Sequence, residues 1–283
     1  MVIFKKIADL QEYLKDKKAG SAAGIGFIPT MGALHDGHTS LVKTAKKAGN
    51  IAVASIFVNP TQFNDPEDFK KYPLSTDKDV MLLTEAGCDI LFLPEVGEIY
   101  PGGLKTGSDY SFGYLDTVFE GAHRPGHFKG VGQVVARLLN IVQPDTLYLG
   151  QKDYQQCMVV KSLMEQEGVH KAELVIGNTV REDDGLAMSS RNRRLTEPQR
   201  ALAGLLYQCL VSIQAKQTEG NFTKVQRECN DLLVHKGFEP DYIALAHADT
   251  LEEMHDYDAG HKTVALIAAK IGDIRLIDNM LLN

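Results

Sequence analysis

Short apolar runs alternate with amphipathic stretches along the first two thirds of the chain, and the spacing of the hydrophobic positions changes from one to the next. Gly24 to Ile28, Ile51 to Val58, Asp89 to Leu93, Asp145 to Leu149 and Leu174 to Val180 are rich in Ile, Val, Leu, Phe and Ala, and read as buried strands. Pro29 and Asn59-Pro60 bound the first two. Between these runs the apolar residues recur at helical spacing. Leu41, Val42 and Ala45 share one face while Lys43, Lys46 and Lys47 point elsewhere, and Val80, Leu82 and Leu83 fall in a helix predicted over Ser75 to Ala86. Val131, Val134, Val135, Leu138, Leu139 and Val142 predict a strongly amphipathic helix, and Tyr154-Gln155-Gln156 opens another. The opening stretch Ile3 to Lys18, with Ile7, Leu10 and Leu14 among charges, predicts a surface helix ahead of the first strand. Asn64 to Lys71 reads as a loop, and Tyr100 to Tyr114 as irregular with a short edge strand. Strand, helix, strand is the βαβ pattern of a parallel sheet.

After Thr196 this alternation stops. Two helices, Glu197 to Lys216 and Phe222 to Lys236, precede strand-like runs at Tyr242 to Ala246, Thr263 to Ala268 and Arg275 to Ile277. The change places a domain boundary near Asn178 to Met188. The expected organisation is an α/β domain over 1–182, a parallel sheet with helices on both faces, followed by a smaller α+β domain over 183–283.

Composition narrows the class. The chain has 283 residues, 44% hydrophobic and 24% charged, with a formal charge of −7. An acidic chain of pI near 5.7 lacks the basic face of a general nucleic-acid binder. No run of about twenty apolar residues occurs, and Lys5, Lys6 and Asp9 near the start do not make a secretory signal. A cytoplasmic protein without nucleic-acid or membrane partners is expected. Cys88, Cys157, Cys209 and Cys229 are scattered, so reduced packing thiols are expected rather than a disulfide framework.

In parallel sheets ligands bind beyond the carboxyl ends of the strands, so the residues that follow each apolar run are the ones to question. The first run leads into Pro29-Thr30-Met31-Gly32-Ala33-Leu34-His35-Asp36-Gly37-His38. This reads as strand, phosphate-facing loop and helix start. With the helix beginning near Gly37, His35 and His38 stand where unpaired N–H groups and the helix dipole favour an anion. A histidine pair also suits a metal, but that needs a third ligand, and no zincin or paired-cysteine motif is present. The second run delivers Asn59 and Gln62, amides suited to hydroxyls and carboxylates, although Asn-Pro is equally a turn opener. Asp77 and Asp79 near a helix start suit capping, and Asp79 is a candidate Mg²⁺ ligand.

Three later stretches carry further candidates. Glu120-Gly121-Ala122-His123-Arg124-Pro125-Gly126-His127-Phe128 reads as a charged loop resting on the amphipathic helix. Gly150-Gln151-Lys152-Asp153 places a glycine and a lysine where backbone and charge meet a phosphate. Arg181 to Asn192 ends in Met188-Ser189-Ser190-Arg191, which is either a phosphate clamp or a helix-capping turn. A third glycine at dinucleotide-binding spacing is missing after Gly24 and Gly26, and Gly103 to Ser108 lacks the spacing of a Walker loop.

Taken in order, Pro29 to His38, Ser55 to Phe63, Arg124 to Gly130, Gly150 to Gln156 and Asp184 to Asn192 resemble the pantoate–β-alanine ligase family, over nearly the whole chain. That family lies among the nucleotidyltransferases with an HxGH signature, here His35-Asp36-Gly37-His38. The resemblance implies a Rossmann-like first domain and a smaller second domain acting as a lid. It also implies ATP-dependent condensation of (R)-pantoate with β-alanine through a pantoyl adenylate, releasing pyrophosphate and AMP. By motif, the ATP site comprises Met31, Gly32, Ala33, Leu34, His35, Asp36, Gly37, His38, Gly150, Gln151, Lys152, Asp153, Val180, Met188, Ser189, Ser190 and Arg191. His35, His38, Lys152 and Arg191 are the catalytic set, with His38 the residue given the proton-donor role. Gln62 and Gln156 hold pantoate, with Asn59, Tyr72 and Glu120 lining the substrate pocket. Mg²⁺ accompanies ATP, no tightly bound organic cofactor is expected, and a homodimer is implied. Two positions depart from the family's pattern: Gln151 stands where Glu is usual, and Leu74 follows Tyr72-Pro73 where Arg is common.

Two other functions share parts of this pattern. A nucleotidyltransferase acting on a phosphate acceptor would keep the histidine loop but would want Arg or Lys in place of the neutral Gln62 and Gln156. A non-catalytic nucleotide sensor would have no use for both histidines together with Lys152 and Arg191.

Overall fold

The computed structural model describes residues 1–63, 69–70, 72–73, 75–104, 109–167, 172–217 and 221–282. Its backbone contacts divide the chain into two units, Met1–Gly150 with Val159–Asn178, and Gln151–Met158 with Thr179–Asn283.

The first unit is built on a six-stranded sheet in the order β1-β4-β3-β2-β5-β6. The strands are β1 Val2–Phe4, β2 Ile25–Thr30, β3 Ile51–Ile56, β4 Ile90–Phe92, β5 Thr146–Gly150 and β6 Glu173–Gly177. Every pairing is parallel. Its helices are α1 Ile7–Gly20, α2 Asp36–Lys47, α3 Thr76–Glu85, α4 Val96–Ile99, α5 Phe119–His123 and α6 His127–Val142, and α7 Tyr154–Glu167 follows β5. Phe27 and Ile28 are neighbours on β2, so they face opposite sides of the sheet, and both are fully buried. Helices therefore cover both faces. Leu41, Val42 and Ala45 of α2 and Leu83 of α3 pack with Ile28, Ala54 and Leu91 in one cluster. The chain runs outward from β2 through β3 to β4, whereas β5 and β6 lie on the other side of β2, so the order reverses between β2 and β5. Such a switch point opens a crevice at the carboxyl ends of the two strands.

In the second unit an antiparallel sheet, β10-β9-β7-β8, is formed by β7 Phe238–His247, β8 Glu253–Met254, β9 Thr263–Ile271 and β10 Ile274–Leu281. Helices α8 Glu197–Ala203, α9 Leu205–Ala215 and α10 Phe222–His235 precede it. Leu206, Leu210, Ile213, Val225 and Leu233 from the helices meet Phe238, Leu245 and Ile267 from the strands in its core.

Several boundaries differ from the hydrophobic pattern for identifiable reasons. The predicted helix over Ile3 to Lys18 gives way at its start to β1, whose apolar run Val2-Ile3-Phe4 is too short to signal a strand by itself and becomes one by pairing with Ile90 to Phe92. Strands β7 and β10 extend past their apolar centres because pairing with β9 holds both, with one register shift in β7 between Pro240 and Tyr242. The long helix predicted from Glu197 breaks at Gly204, where an added Cβ would lie 3.0 Å from the Asp184 carbonyl. The charged stretch Glu120 to Phe128 is not simply a loop, since α5 and the first turn of α6 occupy most of it. No strand forms among the described residues of Tyr100 to Tyr114, and Leu74 lies outside the described residues. No helix among the described residues is long and apolar enough to cross a membrane. All four cysteines are free and buried.

Candidate functional site

At the end of β2 the chain turns through Gly32 and Ala33, both with positive φ (80° and 50°). One buried carboxylate holds this turn. Asp79, on the first turn of α3, accepts from the Ala33 amide through Oδ2 (2.9 Å) and from the Leu34 amide through Oδ1 (2.8 Å), while Ser75 Oγ donates to Oδ1 (3.0 Å). Asp79 is 1% exposed. This corrects the expectation that Asp79 binds Mg²⁺: its oxygens are spent on peptide N–H groups and a hydroxyl. Among the described residues no three His, Cys, Asp or Glu side chains gather as a metal site.

The turn delivers His35 as the N-cap of α2. Its Nδ1 accepts from the Gly37 amide (3.2 Å), and Nδ1 of His38 accepts from the His35 amide (3.4 Å), a reciprocal capping box made of two imidazoles. The ring centroids are 4.1 Å apart. A backbone N–H can only donate, so each Nδ1 is an acceptor and the neutral ring carries its proton on Nε2. Both histidines therefore offer an Nε2–H donor at a helix N-terminus, where negative charge is favoured.

Beyond β3, Asn59 caps the short turn Pro60–Gln62. Its Nδ2 donates to Gln62 Oε1 (3.0 Å) and to the Gly130 carbonyl (3.2 Å), and its Oδ1 accepts from the Tyr100 hydroxyl (2.9 Å). His127 Nδ1 lies 2.8 Å from the Gln62 carbonyl oxygen. Asn59 and Gln62 are buried, and Asn59 takes the turn-opening role. Gly130 is needed where it stands: a Cβ there would sit 2.3 Å from the Thr61 carbonyl oxygen. Tyr72 packs edge-on against Phe63 at 5.6 Å, and buried Glu120 faces Arg124 at 3.8 Å.

In the second unit, Gln151–Asp153 form a single turn ahead of α7. Lys152 Nζ lies 3.4 Å from Asp153 Oδ1, and half-buried Gln156 stands in the first turn of α7. Buried Asn279 on β10 donates to the carbonyls of Gln151 and Lys152 (both 2.8 Å) and accepts from Gln151 Nε2 through Oδ1 (3.2 Å). This explains glutamine at 151. With Asn279 Nδ2 committed to two carbonyls, its Oδ1 faces position 151, and a carboxylate there would meet another oxygen.

The segment from Val180 to Arg191 folds back on itself, the Met188 amide donating to the Val180 carbonyl (3.0 Å) and the Glu182 amide to the Leu186 carbonyl (2.9 Å). Arg181 forms a bidentate pair with Asp278 (2.6 and 3.0 Å) and lies over the Tyr207 ring at 4.2 Å. Burial pushes the Asp278 carboxyl up, against the pull of Arg181. Arg200 binds Glu182 at 2.6 Å and also Asp184, and that hydrogen bond holds the Asp184 carboxyl below the usual carboxylate range. Ser189 Oγ accepts from the Arg191 amide (3.3 Å), so this hydroxyl is a cap of the turn Ser190–Arg194, and Ser190 is buried.

Tyr100, Gly130 and Asn279 hold the candidate residues and were not identified from the sequence. Only Gly130, interrupting an apolar helical stripe, left a signal there. Tyr100 and Asn279 act across 41 and 128 positions, which no local pattern records.

A sequence profile of the family described as Pantoate-beta-alanine ligase matches residues 2–281. The pantothenate synthetase of Cytophaga hutchinsonii is 43% identical, the alignment covering 100% of this chain and 99% of that protein. A crystal structure of pantothenate synthetase from Thermus thermophilus superimposes with a TM-score of 0.90 at 40% identity, covering 100% of this chain and 99% of that one. The ligase of Francisella tularensis, crystallised with Beta-gamma ATP and β-alanine, gives 0.82 at 34% identity over 100% and 98%.

Removing the Asp79 carboxylate leaves two buried amides without an acceptor, at about 1–3 kcal/mol each. Asp79→Ala should therefore lose roughly 2–6 kcal/mol in urea unfolding followed by circular dichroism, whereas a surface change such as Asp77→Ala should stay within about 0.5 kcal/mol. For Asp184 the depressed carboxyl contributes stability that is present above the unfolded carboxylate value, about 3.9, and is lost as pH falls through the folded one. The gap in melting temperature between the parent and Arg200→Met should thus be full near neutral pH and close below about pH 4, as read by scanning calorimetry.

Proposed function

The chain belongs to the pantoate–β-alanine ligase family, and on that premise we propose how its residues divide the ATP-dependent ligation of pantoate to β-alanine. In the first half-reaction the pantoate carboxylate, already ionised, attacks the α-phosphorus of ATP. A carboxylate-to-phosphorus bond forms, the bond to pyrophosphate breaks, and no general base is needed. What the step needs is donors and positive charge where the phosphoryl oxygens and departing pyrophosphate gain negative charge. His35 and His38 supply Nε2–H donors, and Lys152 and Arg191 supply the charge. Met31 to Leu34, Asp36, Gly37, Gly150, Gln151, Asp153, Val180 and Met188 to Ser190 contact the rest of the nucleotide. Gln62 and Gln156 hold pantoate through neutral amides, with Asn59, Tyr72 and Glu120 around them.

In the second half-reaction the β-alanine amine attacks the acyl carbon of pantoyl adenylate, the amide bond forms, the amine loses a proton and AMP leaves. The nucleotide is a substrate, so no tightly bound organic cofactor is assigned. Mg²⁺ would accompany ATP on its phosphates, neutralising their charge, and no step is assigned to a protein-held ion. A cytoplasmic homodimer completes the proposal.

The observation that carries these roles is the pair of histidines capping α2 with both Nδ1 atoms turned to backbone amides. A ligase acting on a carboxylate is favoured over a nucleotidyltransferase acting on a phosphate because the acceptor side carries Gln62 and Gln156 rather than cations. Release of AMP should require both pantoate and β-alanine, and adenylate formation should fall roughly 100- to 1000-fold in His38→Ala and in Lys152→Ala. Near-parent rates in both variants, measured by single-turnover quench, would overturn the assignment.

A further inference from the structure

The polarity of the Gln62 amide is decided by groups that cannot reverse. Asn59 Nδ2 faces the Gly130 carbonyl, which only accepts, and Asn59 Oδ1 faces the Thr61 amide, which only donates (3.2 and 3.4 Å). Those two backbone groups fix which end of the Asn59 side chain is nitrogen. The second Nδ2 hydrogen meets Gln62 at 3.0 Å, so the end of Gln62 facing Asn59 must be its oxygen. Gln62 Nε2 is consequently the end left for a ligand, and Gln62 presents a donor.

The Thr61 amide is a long contact, so the strong partner of Asn59 Oδ1 is the Tyr100 hydroxyl at 2.9 Å, with Thr61 Oγ1 at 3.0 Å. Tyr100 is itself placed from the opposite side. Arg137 on α6 lies over its ring at 4.9 Å and donates to the Ile99 carbonyl at 3.1 Å, and the ring is 3% exposed. Burial also pushes the phenol above its ordinary range, so the hydroxyl stays protonated and able to donate. A buried chain of hydrogen bonds running from the Tyr100 hydroxyl through Asn59 to Gln62 polarises along its length.

We propose that Tyr100 is a positioning residue for pantoate: it holds in place the Asn59 side chain, whose polarity the two backbone groups set, so that Gln62 keeps its N–H₂ group outward, matched to an acceptor oxygen of the acid. The inference rests on the assignment of Gln62 to pantoate above. It implies selection for a ligand that accepts at this point, which a rotatable amide would not impose.

The test is a double-mutant cycle on the full-length enzyme, with kcat and the KM values for pantoate and ATP measured for Tyr100→Phe, Gln62→Ala and the double variant. Losing one hydrogen bond of such a network should raise the pantoate KM about 5- to 30-fold in Tyr100→Phe. Its kcat and ATP KM should move by less than about twofold, and in the Gln62→Ala background the same substitution should add less than about twofold. An unchanged pantoate KM in Tyr100→Phe, an equal rise for ATP, or the same penalty in both backgrounds overturns the positioning role while leaving Gln62 a pantoate ligand. An unchanged pantoate KM in Gln62→Ala overturns that assignment, and the relay with it. Should Tyr100→Phe fail to fold, Asn59→Asp serves in its place. Its carboxylate cannot donate to Gln62, so the pantoate KM must rise selectively, and an unaltered value overturns the proposal.

Discussion

The start of α2 depends on one buried carboxyl group. A strand that ends in a left-handed turn exposes peptide N–H groups in a place water does not reach, and such groups are costly unless something accepts from them. Asp79 is that acceptor for Ala33 and Leu34. It comes from a helix 46 positions away, so the turn is set by how α3 packs beside β2 and β3. Everything that follows the turn, from the cap at His35 to the register of Leu41 and Val42 in the core, inherits that position. The same carboxylate lies 3.1 Å from where a Gly32 Cβ would be, which helps explain why the turn opens with glycine.

A second theme is that backbone groups set the polarity of the functional side chains. Imidazoles and carboxamides are ambiguous in isolation, since either end can face a partner. Here amide N–H groups point both histidine Nδ1 atoms inward, a carbonyl and an N–H orient Asn59, and two carbonyls orient Asn279. The remaining ring nitrogens of the two histidines then become defined donors, whereas the remaining end of Asn279 is an acceptor.

The second unit follows a different logic, using paired charges. Arg181 with Asp278, and Arg200 with Glu182 and Asp184, tie the Val180 to Arg191 segment to its own core. The Arg181–Asp278 pair is well buried, while Arg200 and its partners are partly solvated, so the first would leave a larger penalty if one partner were removed. Gly185, with φ of 88° and Tyr207 against its open side, lets the segment turn tightly enough for both pairs to form.

Hydrophobic spacing alone located most strands and helices, since a buried strand and an amphipathic helix leave different periods in the chain, and the linear motifs at His35, Gln62, Lys152 and Arg191 carried the family resemblance. Local spacing also placed both histidines at the start of α2, while the cap they make there became visible only in the structure. What the tertiary structure decided was every role that depends on a distant partner: Asp79 as the acceptor for a turn rather than a metal ligand, Tyr100 and Gly130 as the supports of Asn59, Asn279 as the reason for Gln151, and β1 as a strand at all. Each of these is a hydrogen bond between residues far apart in sequence, whose free energy exists only after the surrounding packing has excluded water, so no window of neighbouring residues can contain it.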